Sequence, residues 1–164
     1  SSWELAGQLD YGRGLTERGW NDLELISGLI REREVAPDFI VCSGARRARE
    51  TLKGVGEALP TEATVEYEDA IYQASADDLL KVLRGVPGQY ESVMLVGHNP
   101  AVHDLSVEIA RESEGLVRVA AKFPTAALAE FEFDGAWAEL GENTVELTNF
   151  TAPKQLRVGE RETL

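Results

Sequence analysis

The chain has 164 residues, 43% of them hydrophobic, and a formal net charge of −13. That length is enough for one well-buried domain and short for two, and the acidic balance repels nucleic acid and anionic membranes, so neither is expected as a partner. No apolar run approaches the roughly 20 residues that cross a bilayer, no basic-then-apolar leader opens the sequence, and the one cysteine, Cys42, excludes an internal disulfide and fits a reducing, cytoplasmic setting.

Thr16 predicts a helix cap ahead of Trp20, Leu23, Ile26 and Ile30, whose spacing of three or four residues makes one buried face. Pro37-Asp38 stops that helix, and Phe39-Ile40-Val41-Cys42 predicts a short buried strand. Ser43-Gly44 leads into a helix through about Leu59, closed by Pro60. Val65 to Tyr67 predicts a brief strand, and Ser75 with Asp78 forms a capping pair ahead of a helix carrying Leu79, Leu80, Val82 and Leu83. After Val86-Pro87-Gly88, Ser92 to Val96 predicts a second buried strand. It leads to a helix of Val102, Leu105 and Ile109, with Asn99 as N-cap and Pro100 in the first turn.

Alternation then replaces helical spacing. Ala127 to Phe133 and Thr144 to Phe150, with turns at Asp134-Gly135 and Gly141-Glu142-Asn143, predict an antiparallel addition at a sheet edge. A polar tail follows at about 154–164. The expected fold is a three-layer α/β/α sandwich with a mostly parallel central sheet and antiparallel edge strands, in a single domain spanning 1–164.

Ligands of parallel α/β sheets bind beyond the carboxyl ends of the strands. Two such ends carry unusual chemistry here. Cys42-Ser43-Gly44-Ala45-Arg46-Arg47-Ala48-Arg49 sets three arginines in four positions of an acidic protein, and Gly97-His98-Asn99-Pro100 sets an imidazole just before a helix. Helix N-termini offer free N–H groups and partial positive charge, and an arginine adds a bidentate fork for phosphate oxygens. If the two strands are close, Arg47 and His98 converge on one anion. Arg46 and Arg49 are expected on the solvated face of their helix, with Arg46 and Glu50 pairing at i, i+4. His103, at mid-helix, is expected to be structural or merely exposed, and Cys42 to behave as a small hydrophobe.

These residues resemble the histidine phosphatase superfamily, the phosphoglycerate mutase-like group, and within it the small phosphohistidine phosphatases of the SixA type. Leu15-Thr16-Glu17-Arg18-Gly19 is similar to the start of the family's first helix. Ser43 to Thr51 resembles its serine-x-x-x-arginine-alanine-x-x-threonine segment, which implies that Arg47 binds the transferred phosphoryl group. Val96-Gly97-His98-Asn99-Pro100 looks like the second catalytic histidine in its setting, and Phe123-Pro124-Thr125-Ala126-Ala127 like the late proline-threonine segment.

The family's first strand, ending in arginine-histidine with the nucleophilic histidine, has no counterpart: the 164 residues contain no Arg-His pair. Ser1-Ser2-Trp3 is similar to residues that follow that element, so the sequence is expected to start just after it. The resemblance implies phosphoryl transfer through a phosphohistidine intermediate, with no metal or other cofactor. Arg47 and His98 hold the phosphoryl oxygens, and Arg13 is a substrate-binding candidate from the loop before the first predicted helix. Glu68 and Asp69 are open candidates for the acid. The implied substrate is a phosphohistidine protein or a small phosphate ester. The stretch 48–97 is filled by a helix, a strand and a helix, which leaves no chain for a lid and favours phosphate presented on a protein. A non-catalytic phosphate-binding or interaction module of the same fold is the alternative, and a purely structural adaptor a third. A cysteine-dependent phosphatase fails on spacing, since the arginine it needs five residues beyond Cys42 is replaced by Ala48.

Overall fold

The computed structural model describes residues 2–157, and the end of the predicted tail, 158–164, lies outside the described residues. Among the described residues twelve α-helices and β-strands follow in order: α1 Ser2–Tyr11, α2 Glu17–Arg33, β1 Phe39–Cys42, α3 Arg46–Val55, β2 Thr64–Tyr67, α4 Ala76–Arg84, β3 Val93–Val96, α5 Ala101–Ile109, α6 Glu114–Ala121, β4 Leu128–Glu132, β5 Glu146–Thr151 and α7 Pro153–Leu156. The fold is mixed α/β, with a parallel sheet in the order β2-β1-β3 and an antiparallel β4-β5 pair. Among the described residues no helix is long and apolar enough to cross a membrane.

The chain divides into two compact units. The first comprises Ser1–Gln73 and Glu91–His98 and holds the parallel sheet. β1 is its central strand, pairing Phe39–Cys42 with Thr64–Tyr67 on one side and with Val93–Val96 on the other. All four β1 residues are therefore buried, which is why the strand reads as a continuous apolar run. The two flanking strands differ from it: β2 is exposed along its length and β3 half-buried. β3 has the apolar sequence of a buried strand but an outer place in this sheet.

Helix α2 forms as expected. Thr16 Oγ1 accepts the Gly19 N–H at its start, and Glu34 adopts a left-handed cap at its end, three residues before Pro37. Its buried face of Leu23, Ile26 and Ile30 meets the Ala48, Leu52 and Val55 face of α3. Gly54 makes that approach possible, since a Cβ there would lie 2.5 Å from Leu23 Cδ1. Ser27 Oγ donates to the Gly54 carbonyl at 2.9 Å across the same contact. Truncating Leu23 or Ile30 to alanine would cost about 2–5 kcal/mol by the usual scale for buried aliphatics.

The second unit comprises Ala74–Tyr90 and Asn99–Leu164. Ser75 and Asp78 close a reciprocal capping box on α4. α5 packs on α4 and α6, and α6 packs on β5. The antiparallel strands pair with each other in a two-stranded sheet of their own. Helix α6, capped by Ser113 accepting the Leu116 N–H, and the short α7, where a polar tail was expected from Pro153, are additions to the sequence reading. Asn99 is not the N-cap of α5: Pro100 takes that position without a side-chain bond, and the Asn99 amide donates instead to the Phe123 carbonyl at 2.8 Å. His103 is structural, its Nε2 lying 2.6 Å from the Val119 carbonyl.

Candidate active site

Beyond the carboxyl ends of β1 and β3, the first unit gathers a polar cluster. β1 delivers Ser43 and β3, through Gly97, delivers His98; the register that sets Cys42 opposite Val96 makes the two strand ends neighbours. His98 Nε2 lies 2.8 Å from Ser43 Oγ. The same hydroxyl accepts the Ala45 N–H at 3.2 Å, immediately before α3. Ala45, the α3 N-cap, brings no side-chain bond of its own, so the first-turn N–H groups of α3 keep the free, electropositive character of an uncapped helix start.

Arg47 projects from the first turn of α3. Its Nη1 donates to Asp10 Oδ1 at 3.0 Å and to the Asp10 carbonyl at 3.3 Å, while Nη2 stands 3.5 Å from Oδ2. Arg13 Nη2 reaches the same Oδ1 at 3.1 Å, though that side chain is 67% exposed. Tyr72 completes the connection. Its hydroxyl donates to Asp10 Oδ2 at 2.6 Å, and its ring stands edge-on to His98 with centroids 5.6 Å apart at 80°. Arg47 and His98, 51 positions apart in the sequence, are thus joined through Asp10 and Tyr72.

Electrostatics follow the geometry. The Arg47 guanidinium, then the Tyr72 hydroxyl, hold the Asp10 carboxyl down to about 2. Burial, then the positive charge of Arg47, push His98 below its ordinary value of 6.5, with Asp10 opposing. The hydrogen bond to Asp10 raises the Tyr72 hydroxyl above its usual value. Cys42 is fully buried and its thiol is pushed up to about 12 by that burial, the opposite of what a nucleophilic thiolate needs.

The rim is built from long-range contacts of the same kind. Glu50, paired with Arg46 at 2.7 Å as the i, i+4 spacing predicts, also accepts the Leu15 N–H at 2.9 Å and so pins the loop that carries Arg13. Arg46 and Arg49 are exposed on α3, but Arg49 Nε folds back onto the Gly44 carbonyl at 2.8 Å. Of the two acid candidates, Glu68 accepts the Ala70 N–H as a helical cap, and Asp69 accepts the Tyr11 hydroxyl at 2.8 Å beside Gly44.

The structure therefore brings together Arg47, His98 and Arg13, the three residues singled out in the sequence, and adds Asp10, Tyr72 and Ser43. Asp10 carried a faint signal, an acid three residues before Arg13. Tyr72 carried none.

No protein-family model matches the chain. It is 29% identical over 148 residues to an uncharacterised protein of Mycobacterium leprae, covering 88% of this chain and 89% of that one. An uncharacterised protein of Mycobacterium tuberculosis is 28% identical over 152 residues, covering 90% and 94%. Among solved structures, a protein assigned as the phosphohistidine phosphatase SixA from Nakamurella multipartitia superposes with a TM-score of 0.78 at 28% identity, over 88% of this chain and 87% of that one. One with the same assignment from Agrobacterium tumefaciens gives 0.71 at 29% identity, over 88% and 86%. The protein histidine phosphatase SixA solved with tungstate shares the fold, with a TM-score of 0.74 at 21% identity over 90% and 89%. In fold and sequence together, the chain is similar to the SixA phosphohistidine phosphatases of the histidine phosphatase superfamily.

Proposed function

We propose that this protein is a phosphatase acting on phosphohistidine carried by another protein, in the cytoplasm. The observation that carries the reading is the Asp10–Tyr72 connection, which gathers a guanidinium and an imidazole beside an uncapped helix start. In this reading Arg47, supported by Arg13 and His98, holds the oxygens of the phosphoryl group. Such positioning and charge stabilisation are most of what phosphoryl transfer asks of a protein. The nucleophile in this reading is the histidine of the arginine-histidine element that the family resemblance implies. Its ring nitrogen attacks phosphorus as the bond to the substrate imidazole breaks, and water then hydrolyses the phosphohistidine formed. An imidazole leaves more readily than an alkoxide, so the reaction depends little on a dedicated acid, in keeping with the structural bonds that already engage Glu68 and Asp69.

A protein substrate is favoured over a small ester because α3, β2, α4 and β3 divide the stretch between Arg47 and His98 into connections of eight residues each, too short to carry a helical lid. The test is phosphate release from a histidine-phosphorylated protein by the full-length protein and by folded Arg47→Ala and His98→Ala variants. Turnover lost in both variants supports the phosphatase. Phosphate binding without turnover by the unaltered protein would make it a binding module instead.

A further inference from the structure

Tyr72 stands where the two halves of the cluster meet, and its two ends do different things. Its hydroxyl occupies Asp10 Oδ2 at 2.6 Å. The carboxylate therefore grips Arg47 mainly through Oδ1, at 3.0 Å from Nη1, while Nη2 is held only at 3.5 Å from Oδ2. A carboxylate with both oxygens unclaimed closes on a guanidinium as a two-bond fork. The phenol shares Oδ2 with that second arm, which is the longer and so the weaker of the two bonds and the easier one for an anion to displace. The other end of Tyr72 is its ring, which meets the His98 imidazole in a T-shaped contact. The ring is itself braced edge-on by Tyr11, with centroids 5.0 Å apart at 84°, and Tyr11 is tied down by Asp69.

We propose that Tyr72 is a positioning residue of the phosphate site: its hydroxyl, by sharing Asp10 Oδ2, loosens the grip of Asp10 on Arg47, and its ring sets the environment of the His98 imidazole. The proposal rests on the phosphate-binding part of the function proposed above but not on turnover. The charged and titratable groups acting on His98 are Arg47 from α3, Asp10 from α1 and Tyr72 itself, with the Ser43 hydroxyl at its Nε2. The two roles separate by substitution. Tyr72→Phe removes only the hydroxyl; Tyr72→Leu removes the ring as well.

The experiment measures inorganic phosphate binding by calorimetry and the His98 imidazole titration by NMR, in the unaltered protein, Y72F, Y72L, D10N and the double variant Y72F/D10N. Y72F is expected to weaken phosphate binding about two- to tenfold, the span of one hydrogen bond's net worth, and to leave the His98 titration almost in place. In the D10N background, where no carboxylate remains to close on Arg47, adding Y72F is expected to change phosphate affinity by less than about twofold. Y72L is expected to move the His98 titration upward as water reaches the ring. Equal weakening by Y72F with and without Asp10, or unaltered phosphate affinity in Y72F, overturns the first role. A His98 titration that stays put in folded Y72L overturns the second; should Y72L not fold, Y72V and Y72M carry the same comparison. Phosphate affinity and titration respond as expected in a protein without phosphatase turnover if the positioning role is right and the phosphatase reading wrong, so the two fail separately.

Discussion

Ser43 Oγ sits between the His98 imidazole and the start of α3, 2.8 Å from Nε2 and 3.2 Å from the Ala45 nitrogen whose N–H it accepts. The hydroxyl keeps a second lone pair and its own hydrogen, so it pairs with Nε2 whichever of the two atoms carries the proton between them. The uncharged imidazole is favoured by burial and by Arg47, which hold His98 below its ordinary value. Ser43 is completely buried. Ser43→Ala leaves two polar groups without this partner and is expected to lower stability by about 1–3 kcal/mol, read from urea unfolding midpoints. A change within a few tenths of a kcal/mol would show that water replaces the hydroxyl.

His98 and Asp10 give the pH dependence of stability two windows. The folded His98 binds its proton less readily than the unfolded chain, whose imidazole has the ordinary value of 6.5. Between the two values the unfolded state holds more protons, so the stability contribution is complete above 6.5 and is lost as pH falls through the folded value. Asp10 acts lower: its carboxyl goes from an ordinary 3.8 to about 2 in the folded protein, chiefly through Arg47, so its contribution is present above 3.8 and lost on acidification towards 2. Urea midpoints followed from pH 8 downward should fall below pH 6.5 in the unaltered protein and fall less steeply in His98→Gln. Parallel curves for the two proteins would refute the His98 assignment.

Much of this arrangement was legible in the sequence wherever a local rule sufficed. The Thr16 cap, the β1 apolar run and the Ser75–Asp78 box each depend on residues within a turn or a strand, and each appears in the fold. Ser113 offered the same kind of signal for α6, but the run Leu116 to Ala121 is short and has few large apolar residues. Arg47 and His98 stood out because polar, ionisable residues just beyond apolar strands need a reason. Asp10 and Tyr72 did not, because their roles are created by folding alone: Tyr72 meets Asp10 across 62 positions and Arg47 meets it across 37.

Arg47 is expected to act through its fork and not through charge alone. Arg47→Lys keeps a cation but loses the planar pair of donors that matches two oxygens, so phosphate binding should fall about tenfold or more, the cost of roughly one charge-assisted hydrogen bond. Arg47→Ala should abolish measurable binding. Calorimetry with inorganic phosphate checks both, and a lysine variant that binds as tightly as the unaltered protein would show that simple charge is enough.

Cys42 closes β1 immediately before this cluster, yet it should be chemically silent. With no exposed surface and a thiol pushed up to about 12, it lacks the thiolate that alkylating agents attack. The native protein is expected to resist iodoacetamide and to be labelled only on unfolding, followed by mass spectrometry. Cys42→Ala removes a small apolar volume and should cost about 1 kcal/mol while leaving phosphate binding intact. Rapid native labelling would reopen a role for the thiol.

Gly44 is the tightest point of the site, for a steric reason. No glycine among the described residues has positive φ, so a side chain at 44 meets no conformational barrier, but its Cβ would overlap Asp69 Oδ1 and the Tyr11 hydroxyl. Those two atoms are hydrogen-bonded to each other, and the Gly44 carbonyl is fixed by Arg49, so neither side yields freely. Gly44→Ala should therefore destabilise by about 1–3 kcal/mol, as overpacking does. Because Tyr11 braces Tyr72, it should weaken phosphate binding as well. Gly28, exposed on α2 with nothing near its Cβ position, provides the opposite case: Gly28→Ala should stabilise by about 0.5–1 kcal/mol through helix propensity alone. Urea unfolding of the two variants side by side separates the effects. Equal and small shifts in both would mean that Tyr11 and Asp69 swing aside easily, and that the aromatic brace beside His98 is softer than its geometry implies.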